Sequence, residues 1–227
     1  MDRKFKELFL EKINKEISKR TQKRKGFEKT LLKEWERKVS KYFLRNKFET
    51  KKINSTFNFC KKLNYKHGNK IDKAYFSHLL RLGCMSLFIK KNIDYNLTRL
   101  AFVHNILETG NFKKNSKISK QFGGKIFQQI KILTVNRKIQ WDKKYKKQYY
   151  EKIKKSHVNV KIIKILDKMD NLFLLSKNKD LNIKKKYINE IKTYVLPMVK
   201  VTLPDIFKYF NNLVIYNYKK IQNEKNL

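Results

Sequence analysis

Three short stretches bring together residue types that do chemistry. In Ala101-Phe102-Val103-His104-Asn105-Ile106-Leu107-Glu108-Thr109-Gly110 an imidazole and a carboxylate stand four residues apart, a spacing that puts both on one face of an α-helix. Leu97, Leu100, Ala101 and Leu107 fall near that face, so the pair is expected to point inward. Buried there, an imidazole beside a carboxylate is costly unless the two are paired or bound to a metal. A second polar pair, Asp167 and Asn171, interrupts the apolar run Lys164-Ile165-Leu166-Asp167-Lys168-Met169-Asp170-Asn171-Leu172. His78, in Tyr75-Phe76-Ser77-His78, lies upstream and completes a His/His/carboxylate set.

The elements that must position these residues read as helices. The chain has 227 residues, enough for one large domain or one domain with an extension. Six Gly and two Pro leave few turns for a strand meander, and apolar residues recur at helical spacing, so the fold class is all-α. Residues 2–23 carry Phe5, Phe9, Ile13 and Ile17 on one face, and residues 27–45 repeat the pattern with Phe27, Leu31, Trp35, Val39 and Phe43. Gly26 between them suits a helical hairpin, and the basic amphipathic pair is expected to pack on the rest of the chain.

Residues 51–55 read as a connector, followed by helices over 56–67, 74–91 and 97–109. The next helix is expected over 117–134, with Phe122, Ile126, Ile130 and Leu133 inward, and Gly123-Gly124 kept for close packing against a neighbour. Residues 135–142 look irregular, and helix 143–155 aligns Tyr145, Tyr149 and Ile153 as a core stripe. Residues 158–176 are apolar nearly all round, which predicts a central, buried helix. Asp167 and Asn171 within it therefore need a cation, a metal or several donors. Helices over 183–196, ended by Pro197, and 204–220, begun near Pro204, complete the chain. His157, at a helix start, reads as a surface residue.

The formal net charge is +38, which on its own suggests a polyanion partner. The excess is almost all Lys, enriched together with Asn, Ile, Phe and Tyr, all served by AT-rich codons. Base composition accounts for that mix better than selection for phosphate contacts, which often favours Arg. Non-specific polyanion attraction would still follow from the charge. Cys60 and Cys84 sit in apolar helical patterns and read as buried thiols, not a disulfide framework. No apolar run reaches membrane-spanning length, and the first residues are too charged for the apolar part of a signal peptide. A cytoplasmic location is expected.

The order His78, His104-Asn105, Asp167 resembles the HD-domain metal-dependent phosphohydrolases, and within them the alarmone (ppGpp) pyrophosphohydrolases of the Rel/Spo type. His67 followed by Tyr75-Phe76-Ser77-His78 resembles that group's early His and its Tyr-x-x-His. Residues 101–109 resemble its Ala-Leu-Leu-His-Asp-x-x-Glu-Asp stretch. Phe122-Gly123 followed by residues 130–134 resembles its Phe-Gly…Leu-Val…Leu-Thr stretch, and residues 164–172 its Lys-Leu-Ala-Asp-Arg-x-x-Asn stretch. The likeness covers roughly residues 56–176.

The resemblance implies an HD-domain-like helical bundle over 51–222, with residues 1–50 as a basic helical N-terminal extension. It makes His78, His104 and Asp167 metal ligands and puts Asn105 at the fourth ligand position, where the family has Asp. Glu108 matches the family's catalytic Glu, with Thr109 in place of the neighbouring Asp. Asn171 matches an Asn that contacts the nucleotide. The implied activity is hydrolysis of a nucleotide or other phosphorylated small molecule, of ppGpp type, by metal-activated water. The implied cofactor is a divalent metal, manganese foremost by the resemblance; imidazole and carboxylate donors suit manganese, iron or zinc.

The shorter loop between His67 and His78 keeps the family's guanine-side contacts from being carried over, and the chain is too short for its synthetase half. With Asn105 the four ligand positions carry one formal negative charge instead of two. The alternatives are a degenerate, non-catalytic HD domain that binds a nucleotide or partner through a hydrogen-bonded His104–Asp167–Asn171 cluster, and a basic nucleic-acid-associated protein. Oligomeric state is not legible in the sequence.

Overall fold

The computed structural model describes residues 47–63, 72–90, 94–108, 115–175 and 178–224. The two basic helices expected within 1–45, and His67 and Thr109, lie outside the described residues. Among the described residues every regular element is helical, as the apolar spacing predicts. They fall into two compact units, the first ending at Val103 and the second beginning at His104.

The first unit contains α1 (Lys47–Lys61), α2 (Asp72–Phe88) and α3 (Tyr95–Val103), with α3 packed against both of the others. Helix α1 starts well before the expected position and runs through the supposed connector at 51–55. Ile53 explains this: it is fully buried and in phase with Phe57 and Cys60. Lysines around it are good helix formers, so a charged stretch need not be a loop. Phe57 packs on Phe76 (ring centroids 5.6 Å apart) and, edge-on, on Phe102 (5.8 Å). Asp94 caps α3, its Oδ1 accepting the Leu97 N–H at 2.9 Å. Gly83 lies under the Phe102 ring, where an added Cβ would sit 2.6 Å from Cζ.

In the second unit a 3₁₀ turn (Ile106–Glu108) leads to α4 (Asn115–Phe122), α5 (Gly124–Leu133), α6 (Lys143–Lys154) and α7 (Val158–Leu175). Then come α8 (Leu181–Glu190), a π turn (Ile191–Val195), α9 (Leu196–Thr202) and α10 (Pro204–Asn223). Helix α7 is the expected central helix. It packs on α5, α6, α9 and α10, and Val160, Ile162, Ile163, Ile165, Leu166, Met169 and Leu172 along it are buried. Each such side chain contributes about 1.5–3 kcal/mol, enough to hold polar residues on the same helix in place.

Besides the start of α1, three further boundaries differ from the sequence expectation. The helix expected over 97–109 ends at Val103, and His104 and Asn105 form a turn before the 3₁₀ segment, whose Glu108 N–H bonds Asn105 O at 2.9 Å. The helix expected over 117–134 is two helices, broken at Gly123 with φ +86° and ψ 153°. Among the described residues no atom outside the glycine's own stretch of chain would come within 4 Å of a Cβ at Gly123 or Gly124, so backbone conformation, not close packing, accounts for the break. Pro197 does not end a helix either. It follows a π turn in which Leu196 N–H reaches back to Ile191 O, a widened turn that accommodates the missing proline N–H and the bulk of its ring.

Candidate metal centre

His104 and Asp167 meet within the second unit. His104 comes from the turn at the start of the unit and is 4% exposed. Asp167 comes from the middle of α7. Their facing atoms, Nε2 and Oδ1, are 4.0 Å apart. That is longer than a hydrogen bond and within the reach of one ion, since two ligand bonds of roughly 2.0–2.2 Å span at most about 4.0–4.4 Å. Asn105, beside His104, is buried, and its Oδ1 has no hydrogen-bond partner among the described residues. A buried carbonyl oxygen of that kind is costly and chemically suited to a divalent cation. The imidazole and the carboxylate are donor types that fit a divalent metal, and the amide oxygen of the next residue in the chain is a further donor of a suitable kind.

Asp167 is held from both sides. Asn171 Nδ2 donates to Asp167 Oδ1 at 2.8 Å and to its backbone oxygen at 2.9 Å. Lys164 Nζ donates to Oδ2 at 3.3 Å. Both come from α7 itself, one turn to either side, so the helix fixes the carboxylate with its own residues. Burial works against the Lys164 ammonium, but Tyr149, Asp167, Glu190 and Glu108 around it favour the charge and hold it above the ordinary lysine value. Tyr149, buried beside Lys164, has its hydroxyl pushed up to about 12 by burial and donates to Leu133 O at 2.7 Å. Of the stripe expected on α6, Tyr149 and Ile153 are core and Tyr145 is half-buried.

Glu108 does not share a helical face with His104, because the helix has already ended. Its Oε1 accepts the Val135 N–H at 2.9 Å. Its Oε2 accepts from Arg137 Nε at 2.8 Å and from Arg137 Nη2. The Glu108 side chain is 3% exposed and that of Arg137 is 48% exposed.

Sequence reasoning missed Arg137. It lies in the stretch read as irregular, and the only available signal was an arginine in a chain whose cations are mostly lysine. His78 sits on α2 of the first unit, half-buried. His157 is exposed, as expected, and its Nδ1 accepts the Asn159 N–H at 3.2 Å.

A second polar cluster backs the site. Glu190, at the end of α8, accepts from Lys168 Nζ at 2.7 Å, Lys146 Nζ at 2.9 Å and Tyr150 Oη at 2.6 Å. Burial alone would raise its pKa, but Lys168 and Lys146 outweigh burial and hold it at about 2. Lys168 is pushed below the ordinary lysine value, burial outweighing the carboxylate. None of this cluster was singled out from the sequence.

Neither the family models nor the curated proteins compared with the chain match it. A solved structure does: that of a metazoan ortholog of SpoT that hydrolyses ppGpp and plays a role in starvation responses. The TM-score is 0.58 with 18% identity, covering 71% of this chain and 93% of that one. At that identity the likeness is one of fold, and it agrees with the HD-like helical architecture that the sequence pattern implies. No described helix is long and apolar enough to cross a membrane.

Proposed function

We propose that the chain is a divalent-metal-dependent phosphohydrolase acting on a nucleotide of ppGpp type, with manganese as the metal. The observation that carries this reading is the separation of His104 Nε2 and Asp167 Oδ1, 4.0 Å with no proton shared between them; the neighbouring residue in the chain, Asn105, has a buried Oδ1 with no hydrogen-bond partner among the described residues. The shared fold with a protein that hydrolyses ppGpp supports it.

His104, Asp167 and Asn105 would hold the metal, and His78 joins them on the sequence pattern. A bound divalent ion supplies an acidified water and neutralises a phosphoryl oxygen. Lys164 and Asn171 keep Asp167 turned to its task. Lys164 also adds a fixed positive charge that favours an incoming phosphate. Glu108 is the group that takes the attacking water's proton; Thr109 stands where the family has a second carboxylate. On the same pattern Asn171 also reaches the nucleotide. A cytoplasmic location goes with this reading.

The test is manganese titration of chelator-stripped protein, followed by thermal unfolding and elemental analysis. A resident metal raises the melting temperature by linkage, worth about 2.7 kcal/mol at a hundredfold excess over Kd. His104→Ala and Asp167→Ala should lose that stabilisation. Asn105→Asp, which restores the second ligand charge, should tighten manganese by about tenfold or more. Hydrolysis of guanosine 3′-diphosphate nucleotides should follow metal occupancy. If manganese leaves the melting temperature unchanged in both the natural chain and Asn105→Asp, the site is a hydrogen-bonded cluster and the enzymatic reading fails.

A further inference from the structure

Glu108 is deeply buried, yet its charge partner is half in solvent. A carboxylate placed only to stabilise the fold would gain most from a partner as dry as itself. Here the guanidinium of Arg137 comes from the solvent side and grips Oε2 with two of its nitrogens, while Nη1 donates to Gln140 Oε1 at 3.2 Å. Arg137 therefore covers Glu108. While it does so, Oε2 accepts two donors and Oε1 accepts the Val135 N–H, and the carboxylate is poorly placed to take a proton from water. Glu108 also belongs to the same electrostatic neighbourhood as Asp167, since both act on the Lys164 ammonium.

The planar fork that binds a carboxylate through two nitrogens binds a phosphate equally well. Arg137 is half exposed, so a second oxyanion can reach its guanidinium from solvent, and binding that oxyanion must offset the cost of uncovering the buried Glu108 carboxylate. From these observations we infer that Arg137 is the binding residue for the substrate's diphosphate group, and that diphosphate binding draws it off Glu108. The pair works as an exchange device: without substrate the carboxylate is masked, and with substrate bound it is released. The inference rests on the phosphohydrolase reading for its biological meaning, but the exchange itself needs no metal.

Inorganic pyrophosphate is the probe, titrated calorimetrically into the full chain in the presence of chelator. Glu108→Gln removes the internal competitor for Arg137. It should bind pyrophosphate about fivefold more tightly than the charge-matched control Glu151→Gln, which alters an exposed acid on α6; fivefold is the upper range for a part-exposed ion pair. Adding Arg137→Gln should abolish that gain, and Arg137→Lys should keep part of it.

If Glu108→Gln binds no more tightly than Glu151→Gln, or if the gain survives Arg137→Gln, the exchange is refuted. Should Glu108→Gln fail to fold, the Arg137 Nε–Hε resonance of the natural chain gives the answer. It must shift as pyrophosphate is added, and an unmoved resonance at saturation refutes the exchange as well. Manganese uptake measured on the same preparations is independent of these results, so failure of the metal centre and failure of the exchange are told apart.

Discussion

Glu190 shows what a single buried charge does in this protein. Lys168, Lys146 and Tyr150 all donate to it, and its pKa is held at about 2 against an ordinary 4.5. Because the folded value is depressed, the stability it contributes is present above pH about 4.5 and is lost as pH falls toward about 2. Glu190→Gln should flatten that acid limb. It should also cost about 3–5 kcal/mol at neutral pH, because two buried ammonium groups lose their counter-charge. Urea unfolding of both proteins between pH 7 and pH 3 checks this, and an unchanged acid limb would remove Glu190 from the account.

Legibility at this scale depends on sequence distance. His104, Asp167 and Asn171 can be picked out because each interrupts an apolar pattern, and Asn171 finds its partner four residues away. Arg137 reaches Glu108 across 29 residues and Lys146 reaches Glu190 across 44. No local spacing encodes either pair.

At the scale of elements, apolar periodicity located the helices, and apart from the supposed connector at 51–55 the failures are interruptions. The ends at Val103, Gly123 and the π turn depend on a few backbone conformations. An averaged 3.6-residue pattern runs straight through such points, since side chains on both sides of a break still face the same core. The turn at His104-Asn105 matters most, because it separates the orientation of Glu108 from that of His104 and so allows Glu108 to meet Arg137.

Where helices touch, one position is sharply constrained. Gly83→Ala would put a methyl 2.6 Å from Phe102 Cζ, and Phe102 is itself 1% exposed and backed by Phe57. The overpacking, about 1–3 kcal/mol, exceeds the gain in helix propensity, about 1 kcal/mol or less. The urea midpoint should fall with an unchanged slope, and Phe102→Leu in the same chain should recover most of the loss. A Gly83→Ala chain as stable as the natural one would mean that α2 and α3 separate easily.

For the molecule as a whole, charge is the dominant property, and it was legible from composition alone. With a formal net charge of +38, like-charge repulsion opposes the compact state. Salt shortens its range to about 10 Å at 0.1 M. The melting temperature should therefore rise as sodium chloride goes from low to roughly physiological concentration. A fall would mean that surface ion pairs such as Lys154–Glu151 outweigh the repulsion. What composition could not reveal is how the charge is spent: most of the described lysines are exposed, but Lys164 and Lys168 are buried among aromatic rings and carboxylates. The buried lysines are no different in kind from the exposed ones. Their neighbours set them apart, and neighbours are a property of the fold.

The break at Gly123 also has a stereochemical meaning. Its φ of +86° is a conformation that an L-residue resists and a D-residue accepts, and since an L Cβ would meet no atom within 4 Å among the described residues, the resistance is one of backbone conformation and not of space. Glycine holds this junction only because ribosomal synthesis offers no mirror-image alanine. A chain assembled chemically with D-alanine at 123 would keep the junction between α4 and α5 while giving the unfolded state fewer conformations to explore. At that one position, handedness rather than size is what the protein has had to do without.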